Sequence, residues 1–393
     1  MNKPRIGILF GGRSGEHEVS LLSAASVLQA IDRSRYDVQL IGITKDGHWL
    51  TSGDAERMLS APQSTEKHLR AGDPEATASA SVLAHGSETL LRPEPAPAVT
   101  SSLARLRSSA EQSLAVDVIF PVLHGTFGED GTVQGLLELA DIAYVGSGVL
   151  GSAAGMDKDV MKRLFATAKL PMTKSITLLR AEWAKNPRRA TQQIEAALRY
   201  PLFIKPANLG SSVGISKVHD RKELAPAMEM AAHYDRKIVI EQSVGGKRGK
   251  ARELEVAVLG NDAPEASVVG EIIPCKEFYD YDAKYLSEGS QPVIPANITK
   301  AEAKRVQQMA IAAFRACECS GLARVDFLME PGKTERTRKI YINEVNTLPG
   351  FTAISMYPKL WEASGLPYAK LIDRLIALAQ ERHAEKRSNA YSK

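Results

Sequence analysis

GLARVDFLMEPGKTERTRKIYINEVNTLPG, residues 321–350, is the stretch on which the fold turns. Runs rich in β-branched and aromatic residues at 322–329 and 340–345 flank a polar stretch opened by Pro331 and Gly332, which predicts an antiparallel hairpin. Side chains alternate faces along a strand. Arg324 and Asp326 therefore share one face of the first strand, and Glu344 and Asn346 share one face of the second. A register that opposes these faces brings a guanidinium, two carboxylates and an amide oxygen to one spot. That set suits Mg2+, which prefers oxygen ligands, takes one or two carboxylates and completes its shell with water and phosphate oxygens. A solvated surface hairpin is the plain alternative. Against it stands the run NEVNTLPG, residues 343–350, which ends in a polar turn where a small substrate meets backbone amides.

The totals frame this motif. A chain of 393 residues predicts two or three domains with substantial cores. No apolar run is long enough to span a bilayer, and Lys3 and Arg5 lead into a strand without a signal-peptide layout, so the expected compartment is the cytoplasm. A formal charge of +4 is small for this length and argues for anionic small molecules, not for nucleic acid or a membrane surface. Three cysteines, Cys275, Cys317 and Cys319, make neither a disulfide framework nor a metal site and are expected as incidental or buried thiols.

N-terminal to the hairpin, Thr299 and Glu302 form a capping box for a helix carrying Val306, Met309, Ala313 and Cys317. Residues 278–285, FYDYDAKY, predict a loop that closes over substrate. Residues 253–259 alternate as a strand, with Glu253 and Glu255 on one face. The basic GGKRGKA at 245–251 is a solvated connection. Strands at 202–205 and 238–242 bracket a Gly/Ser loop, ANLGSSVG, that directly follows Lys205. Such a loop offers backbone donors, hydroxyls and little bulk over a phosphate, and Lys158, in the first turn of a helix at 156–169, pairs with Lys205 around a polyphosphate.

The N-terminal third is an open α/β pattern. A strand at 6–10 runs into Gly11, Gly12 and Gly15 and then a helix, giving an anion-compatible turn that is neither GxGxxG nor Walker A. Glu16 at this turn either caps the helix or holds a substrate ammonium. A second strand follows at 38–43. From 51 to 113, Ala, Ser, Glu and Pro dominate, which predicts a loosely ordered excursion with a short strand at 89–91 and a helix near 103–112. A buried strand at 116–122 then leads to His124 and a glycine-studded turn, where open α/β sheets place ligands. His124 either contacts a substrate carboxylate or is structural. Gly146, Gly148, Gly151 and Gly155 predict a flexible join, giving an N-terminal domain at 1–150, a central subdomain at 151–248 and a C-terminal subdomain at 249–393 that carries the metal and substrate site.

Together, GGRSGEHEVS, HGTFGEDGTVQG, GSGVLGSAAGMDK, KPANLGSSVGISKV, FYDYDAKY, ARVDF and NEVNTLPGFTAISMYP resemble the D-alanine:D-alanine ligases of the ATP-grasp superfamily, in family order and across nearly the whole chain. The resemblance implies an α/β ATP-grasp fold behind an N-terminal Rossmann-like domain, with ATP held between the central and C-terminal sheets, usually in a homodimer. It implies that Glu16 holds the ammonium of the first D-alanine and, with Ser211 and Tyr285, links three segments over the site. His124 belongs to the same substrate region. Lys158 and Lys205 would contact ATP phosphates, Glu241, Gln242 and the backbone at Val244 the adenine, and Glu253 the ribose. Asp326, Glu344 and Asn346 would hold Mg2+, in two ions, or Mn2+ in its place. Lys284 would sit at the transferring phosphate. Arg324 and the Gly350 amide would stabilise an oxyanion, and Ser355 and Met356 would receive the carboxylate of the second D-alanine.

Two positions depart from the pattern. Gln242 stands where many members have lysine, and Met356 where leucine is frequent. The retained FYDYDAKY favours an amine as second substrate over the D-lactate of related ligases. A ligase taking D-lactate or D-serine and, from another class, a nucleotide-binding sensor without catalysis are the competing expectations, the sensor weakened because every charged position that the reaction demands is present.

Overall fold

The computed structural model describes residues 3–60, 89–91, 106–108, 113–114, 116–245, 250–273, 291–332 and 338–390. The loop expected at 278–285, with Lys284 and Tyr285, lies outside them, as does most of the excursion and of GGKRGKA. By its internal packing the chain divides into two units, Met1–Gly146 with Gly350–Pro358 and Pro367–Lys393, and Ser147–Pro349 with Lys359–Leu366.

The first unit is built on a five-stranded sheet. Strand β1 (Arg5–Gly11) leads through α1 (His17–Ala30) to β2 (Asp37–Ile43), then to β3 (Trp49–Thr51) and α2 (Ser52–Ser60). Three short strands, β4 (Thr89–Leu91), β5 (Leu106–Ser108) and β6 (Ser113–Leu114), form a separate sheet, after which β7 (Val118–Pro121), α3 (Thr132–Leu139) and β8 (Ala143–Tyr144) complete the main one in the order β3-β2-β1-β7-β8. All of its pairings are parallel except that of β2 with β3. Apolar β1 is buried on both faces, as a parallel strand between helical layers must be. The chain leaves β1 toward β2 on one side and returns through β7 on the other. The strand order therefore reverses between β1 and β7, which is where such sheets accept ligands beyond their carboxyl ends.

Two expectations for this region are corrected. The excursion does not begin at Thr51, because Thr51 ends β3 and the next nine residues form α2, whose Ala55 and Met58 are buried. The helix expected at 103–112 gives way to strand β5, which pairs with both β4 and β6 and so satisfies its backbone across the sheet.

The second unit opens with α4 (Val149–Met156) and α5 (Lys158–Thr167). The join expected at Gly151 and Gly155 is instead helical and closely packed. A Cβ on Gly151 would lie 2.3 Å from the Glu318 carbonyl oxygen, and one on Gly155 would lie 2.7 Å from the Thr347 methyl, so these glycines serve close approach. The chain then forms β9 (Ser175–Leu179), α6 (Arg180–Lys185), α7 (Pro187–Ala197), β10 (Leu202–Pro206), β11 (Ser216–Val218), α8 (Arg221–Tyr234) and β12 (Lys237–Gln242). These strands make an antiparallel sheet in the order β11-β10-β12-β9, covered by Ile194 of α7 and Leu224 and Met228 of α8.

A second sheet follows from β13 (Arg252–Gly260), β14 (Glu265–Ala266), β15 (Gly270–Ile273), β16 (Gln291–Val293), α9 (Lys300–Ala316), β17 (Gly321–Met329) and β18 (Ile340–Asn346). Its core joins Val306, Met309 and Ala313 of α9 to Val325 and Phe327 of β17 and to Met161 and Phe165 of α5. The Thr299/Glu302 capping box is formed in both directions. Buried Cys317 and Cys319 belong to this core, and burial pushes the Cys317 thiol up to about 12. Where the sequence groups 249–393 as one body, the segments 350–358 and 367–393 pack with the first unit. Phe351 there meets Phe120 of β7 edge-on at 5.6 Å, and the Tyr368 hydroxyl donates to the Phe351 carbonyl at 2.5 Å.

Candidate active site

In the second unit, a cleft of about 280 Å3 lies between the two sheets, lined by Lys205, Ser212, Glu241, Gln242, Val244, Glu253, Arg324, Asp326 and Glu344 among others. Eight of the eighteen residues singled out from the sequence therefore meet in one place, with Ser212 beside them.

The hairpin supplies one wall. Strands β17 and β18 pair so that Asp326 faces Glu344 and Arg324 faces Asn346, the register that the converging set requires. Burial alternates along β17, with Val325, Phe327 and Met329 in the core and Arg324 and Asp326 on the opposite face. One irregularity between Asp326 and Phe327 leaves Asn343 as an extra residue in β18 and shifts the alternation there. On its other edge β17 pairs with β13, setting Glu255 opposite Asp326. Three carboxylates thus form a lateral row across three strands.

Arg324 neutralises part of that row. Its Nε and one terminal nitrogen donate to the two oxygens of Asp326, each at 2.7 Å, and its Nε is 3.2 Å from Glu255 Oε2. Burial alone would lower the guanidinium, but Asp326, Glu255 and Glu344 outweigh it and hold Arg324 well above its ordinary value. Among the described residues no group of three His, Cys, Asp or Glu side chains has metal-holding geometry. The donors expected for a metal are two carboxylates and the Asn346 amide, an all-oxygen set suited to a hard cation. Asp326 is bound to Arg324, and Asn346 Oδ1 accepts from the Leu348 amide at 3.1 Å.

The opposite wall comes from the first sheet of the unit. Phe203 on β10 is registered against Glu241 on β12, and Lys205, two residues on, shares its face, so the Lys205 amine reaches Glu241 Oε2 at 2.6 Å on the diagonal. The second oxygen of Glu241 takes Lys162 from α5 at 2.6 Å, and the Thr173 hydroxyl donates to the same oxygen. Burial alone would raise the Glu241 carboxyl, yet Lys162 and then Lys205 hold it far below the usual carboxylate range. Burial likewise opposes the Lys205 charge, which Glu241, Glu344 and Glu253 sustain above its ordinary value. The Glu241 side chain, expected at an adenine, is therefore committed to two lysines, and the Gln242 amide oxygen accepts from the Arg199 backbone at 3.3 Å. Both side chains at this edge therefore have partners in the protein.

Lys158, expected beside Lys205, donates to the Leu209 carbonyl at 2.7 Å and so ties α5 to the Gly/Ser loop. In that loop Ser211 and Ser212 have φ of +48° and +61°, a left-handed conformation that non-glycine residues seldom take in succession. Lys162, bonded to Glu241, and Glu255, beside Arg324, belong to the charged network of the site without a role assigned from the sequence.

The remaining described candidates stand in the first unit, Glu16 and His124 at the reversal of strand order. Ser20 fastens the two strand ends there, accepting from the Gly11 amide at 2.7 Å and donating to the Val122 carbonyl at 2.6 Å. The Ser14 hydroxyl donates to the His124 carbonyl at 2.7 Å, and His124 Nε2 lies 3.0 Å from the Ser23 hydroxyl. A Cβ on Gly125 would come within 2.6 Å of Glu16 Oε2, so the buried Glu16 carboxylate sits against the backbone after His124. Glu16 opens α1, but its side chain makes no cap hydrogen bond. Gly350 leads into a turn in which the Ser355 hydroxyl is bonded to Thr352, at 3.1 Å from its amide and 2.7 Å from its hydroxyl, and Met356 starts the next helix.

Comparison with known proteins matches this arrangement along the whole chain. Residues 5–147 match the family model "D-ala D-ala ligase N-terminus" and residues 164–377 match "D-ala D-ala ligase C-terminus". The chain is 47% identical to the D-alanine–D-alanine ligase of Chloroherpeton thalassium, over 98% of this chain and 99% of that one. It is 48% identical to the enzyme of that name from Geobacillus thermodenitrificans, over 99% of each. Among solved structures, it resembles the VanG D-Ala:D-Ser ligase from Enterococcus faecalis (TM-score 0.79, 36% identity, 96% of this chain and 100% of that one). It also resembles the D-alanine-D-alanine ligase from Coxiella burnetii (TM-score 0.77, 35% identity, 99% and 97%). The sheets, cleft and hairpin described above are those of an ATP-grasp fold, and the chain belongs to the D-alanine–D-alanine ligase family.

Proposed function

We propose that the chain joins two molecules of D-alanine in an ATP-dependent ligation that supplies a peptidoglycan precursor. The observation that carries this reading is the register of β17 on β18, which opposes Asp326 to Glu344 and Arg324 to Asn346 in a cleft that also holds Lys205, within a chain of this family.

A carboxylate is a poor acyl donor. In this reading its oxygen takes the γ-phosphoryl group of ATP, giving an acyl phosphate and ADP. The neutral amine of the second D-alanine then attacks the acyl carbon, phosphate leaves, and the amine gives up a proton as the amide forms. Both steps crowd anionic oxygens together. Asp326, Glu344 and Asn346 would hold Mg2+, in two ions or with Mn2+ replacing it, and a divalent cation there would offset phosphate charge. Arg324, kept protonated by its carboxylate neighbours, offers N–H donors where charge develops, with the Gly350 amide assigned to the same task. Lys205 and Lys158 are assigned to the phosphates, Glu253 to the ribose and the backbone near Val244 to the adenine. Glu16 and His124 are assigned to the first D-alanine, Ser355 and Met356 to the second. Lys284 is assigned to the transferring phosphate, and Ser211 and Tyr285 to closing the site.

We further propose a homodimer in the cytoplasm and three functional parts, 1–150, 151–248 and 249–393. Two sheets with separate cores within the second unit support a division near 248. Among the described residues no helix is long and apolar enough to cross a membrane.

Phosphate release coupled to D-alanine, with L-alanine as control, tests the reaction. Nucleotide binding without phosphate release on adding D-alanine would leave a sensor. The likeness to a D-Ala:D-Ser ligase makes D-serine the competitor to assay, and the expected product mixture with D-alanine, D-serine and D-lactate present together is dominated by the D-alanine dipeptide.

A further inference from the structure

Glu241 is 3% exposed and carries a separate lysine on each oxygen, Lys162 on Oε1 and Lys205 on Oε2, both at 2.6 Å. The two lysines are not equivalent. Lys205 lines the cleft, and its electrostatic partners include Glu344 and Glu253 as well as Glu241. Lys162 stands behind Glu241, on the α5 turn after Lys158, with 7% of its side chain exposed, and it is not part of the cleft wall. A single lysine would suffice to make Glu241 a buried ion pair. The second one changes what the first can do.

If Lys205 turns toward a phosphate, it must leave Glu241. A buried carboxylate stripped of its only counterion is strongly disfavoured, so with one lysine the release of Lys205 would oppose nucleotide binding. With Lys162 and the Thr173 hydroxyl retained on Oε1, the carboxylate stays compensated and fixed after Lys205 departs.

We propose that Lys162 is a positioning residue for nucleotide binding: it holds Glu241 as an anionic resting place from which Lys205 is exchanged onto the phosphates of the incoming nucleotide. This rests on the assignment of Lys205 to the ATP phosphates made above. It predicts an effect on phosphate-bearing ligands and not on the base.

The test is calorimetric binding of ADP, ATP and adenosine in the presence of Mg2+ to the wild-type chain, Lys162→Met, Lys162→Arg and the double variant Lys162→Met/Glu241→Gln, each checked for native circular dichroism. Lys162→Met should weaken ATP and ADP by about tenfold or more, with adenosine changed less than twofold. It should raise KM for ATP with kcat within a few-fold of wild type. Lys162→Arg should recover most of the loss. The double variant should bind ATP more tightly than Lys162→Met, because a neutral amide does not hold Lys205 back. Equal weakening of adenosine and ATP would make Lys162 a plain scaffold for the base pocket and overturn the proposal. Unchanged ATP affinity in Lys162→Met, or a double variant weaker than that single one, would overturn it too. Wild-type protein that binds no nucleotide would instead refute the ATP-site assignment on which the proposal rests. A variant that does not fold is replaced by Lys162→Gln, which keeps a donor to Oε1 without its charge and should fall between wild type and the loss expected for methionine.

Discussion

Asp326→Asn separates the two tasks of one carboxylate. In the folded chain Asp326 receives two charge-assisted hydrogen bonds from Arg324, each at 2.7 Å, with 16% and 15% of the two side chains exposed. Breaking a buried pair outright costs about 3–5 kcal/mol. Two features reduce that here: the asparagine oxygen still accepts one of the two bonds, and Arg324 retains Glu255 at 3.2 Å. The expected loss in stability is therefore about 2 kcal/mol, small enough for the second unit to stay folded at room temperature. Turnover should fall far more, by roughly a hundred- to thousandfold, because in the proposed reaction a neutral amide would replace an anionic donor to the divalent cation and loosen the guanidinium assigned to developing charge. Urea denaturation followed by tryptophan fluorescence reads the first quantity, and phosphate release at saturating D-alanine over a range of Mg2+ concentrations reads the second. A variant with wild-type turnover at limiting Mg2+ would remove Asp326 from the metal site. A variant that loses activity only as it loses structure would make Asp326 a scaffold residue.

Four further outcomes follow from the same geometry. Glu241 is held below its ordinary value, so the stability it contributes is fully present above the unfolded-state value of about 4.3 and is lost as pH falls through the lower folded value. The urea midpoint of wild type should therefore drop toward that of Glu241→Gln between about pH 5 and pH 3, and parallel curves would refute the ion-pair role. Gly151→Ala gains helix propensity but places a Cβ 2.3 Å from the Glu318 carbonyl oxygen, so a net loss of about 2 kcal/mol is expected, read as a lower unfolding midpoint. Ser20→Ala strands the Gly11 amide and the Val122 carbonyl at the strand reversal and should cost about 2–4 kcal/mol, with a raised KM for D-alanine if that end of the sheet binds it. Chelating divalent cations should weaken ATP by about tenfold or more while leaving adenosine unchanged, as binding calorimetry would report.

The hairpin was legible because a period of two over nine residues fixes which side chains share a face whatever the strand pairs with. Its partner was not legible. The sequence shows Glu253 and Glu255 on one face of a strand, but that Glu255 lies opposite Asp326 depends on β13 and β17 meeting across a gap in the chain, which no local pattern encodes. Lys162 was missed for a related reason. Its spacing of four from Lys158 puts both on one helix face, a signal available in the sequence, but its partner is 79 residues away on a strand of another sheet. Composition misled at Ser52–Ser60, where polar residues concealed the buried Ala55 and Met58, three apart on one turn. Gly151 and Gly155 stand four apart in a helix, a spacing that fits close packing as well as it fits a hinge, and only the carbonyl and methyl facing them decide between the two.

Charge accounting across the cleft explains why so many ionised groups tolerate one another before any ligand arrives. Lys205, Lys217, Lys250 and Arg324 face Glu241, Glu253, Glu255, Asp326 and Glu344, and Lys162 behind Glu241 supplies one more cation, so the wall is balanced as it stands. A nucleotide triphosphate alone would upset that balance with several negative charges in a place poorly screened by water, whereas a triphosphate accompanied by two divalent cations is close to neutral. The wall is therefore suited to a metal-loaded nucleotide and opposed to a bare one. The same balance divides the cleft: carboxylates of β17 and β18 stand on one wall, Lys205 of β10 on the other, and Arg324, bonded to Asp326 and near Glu255, belongs to the carboxylate wall.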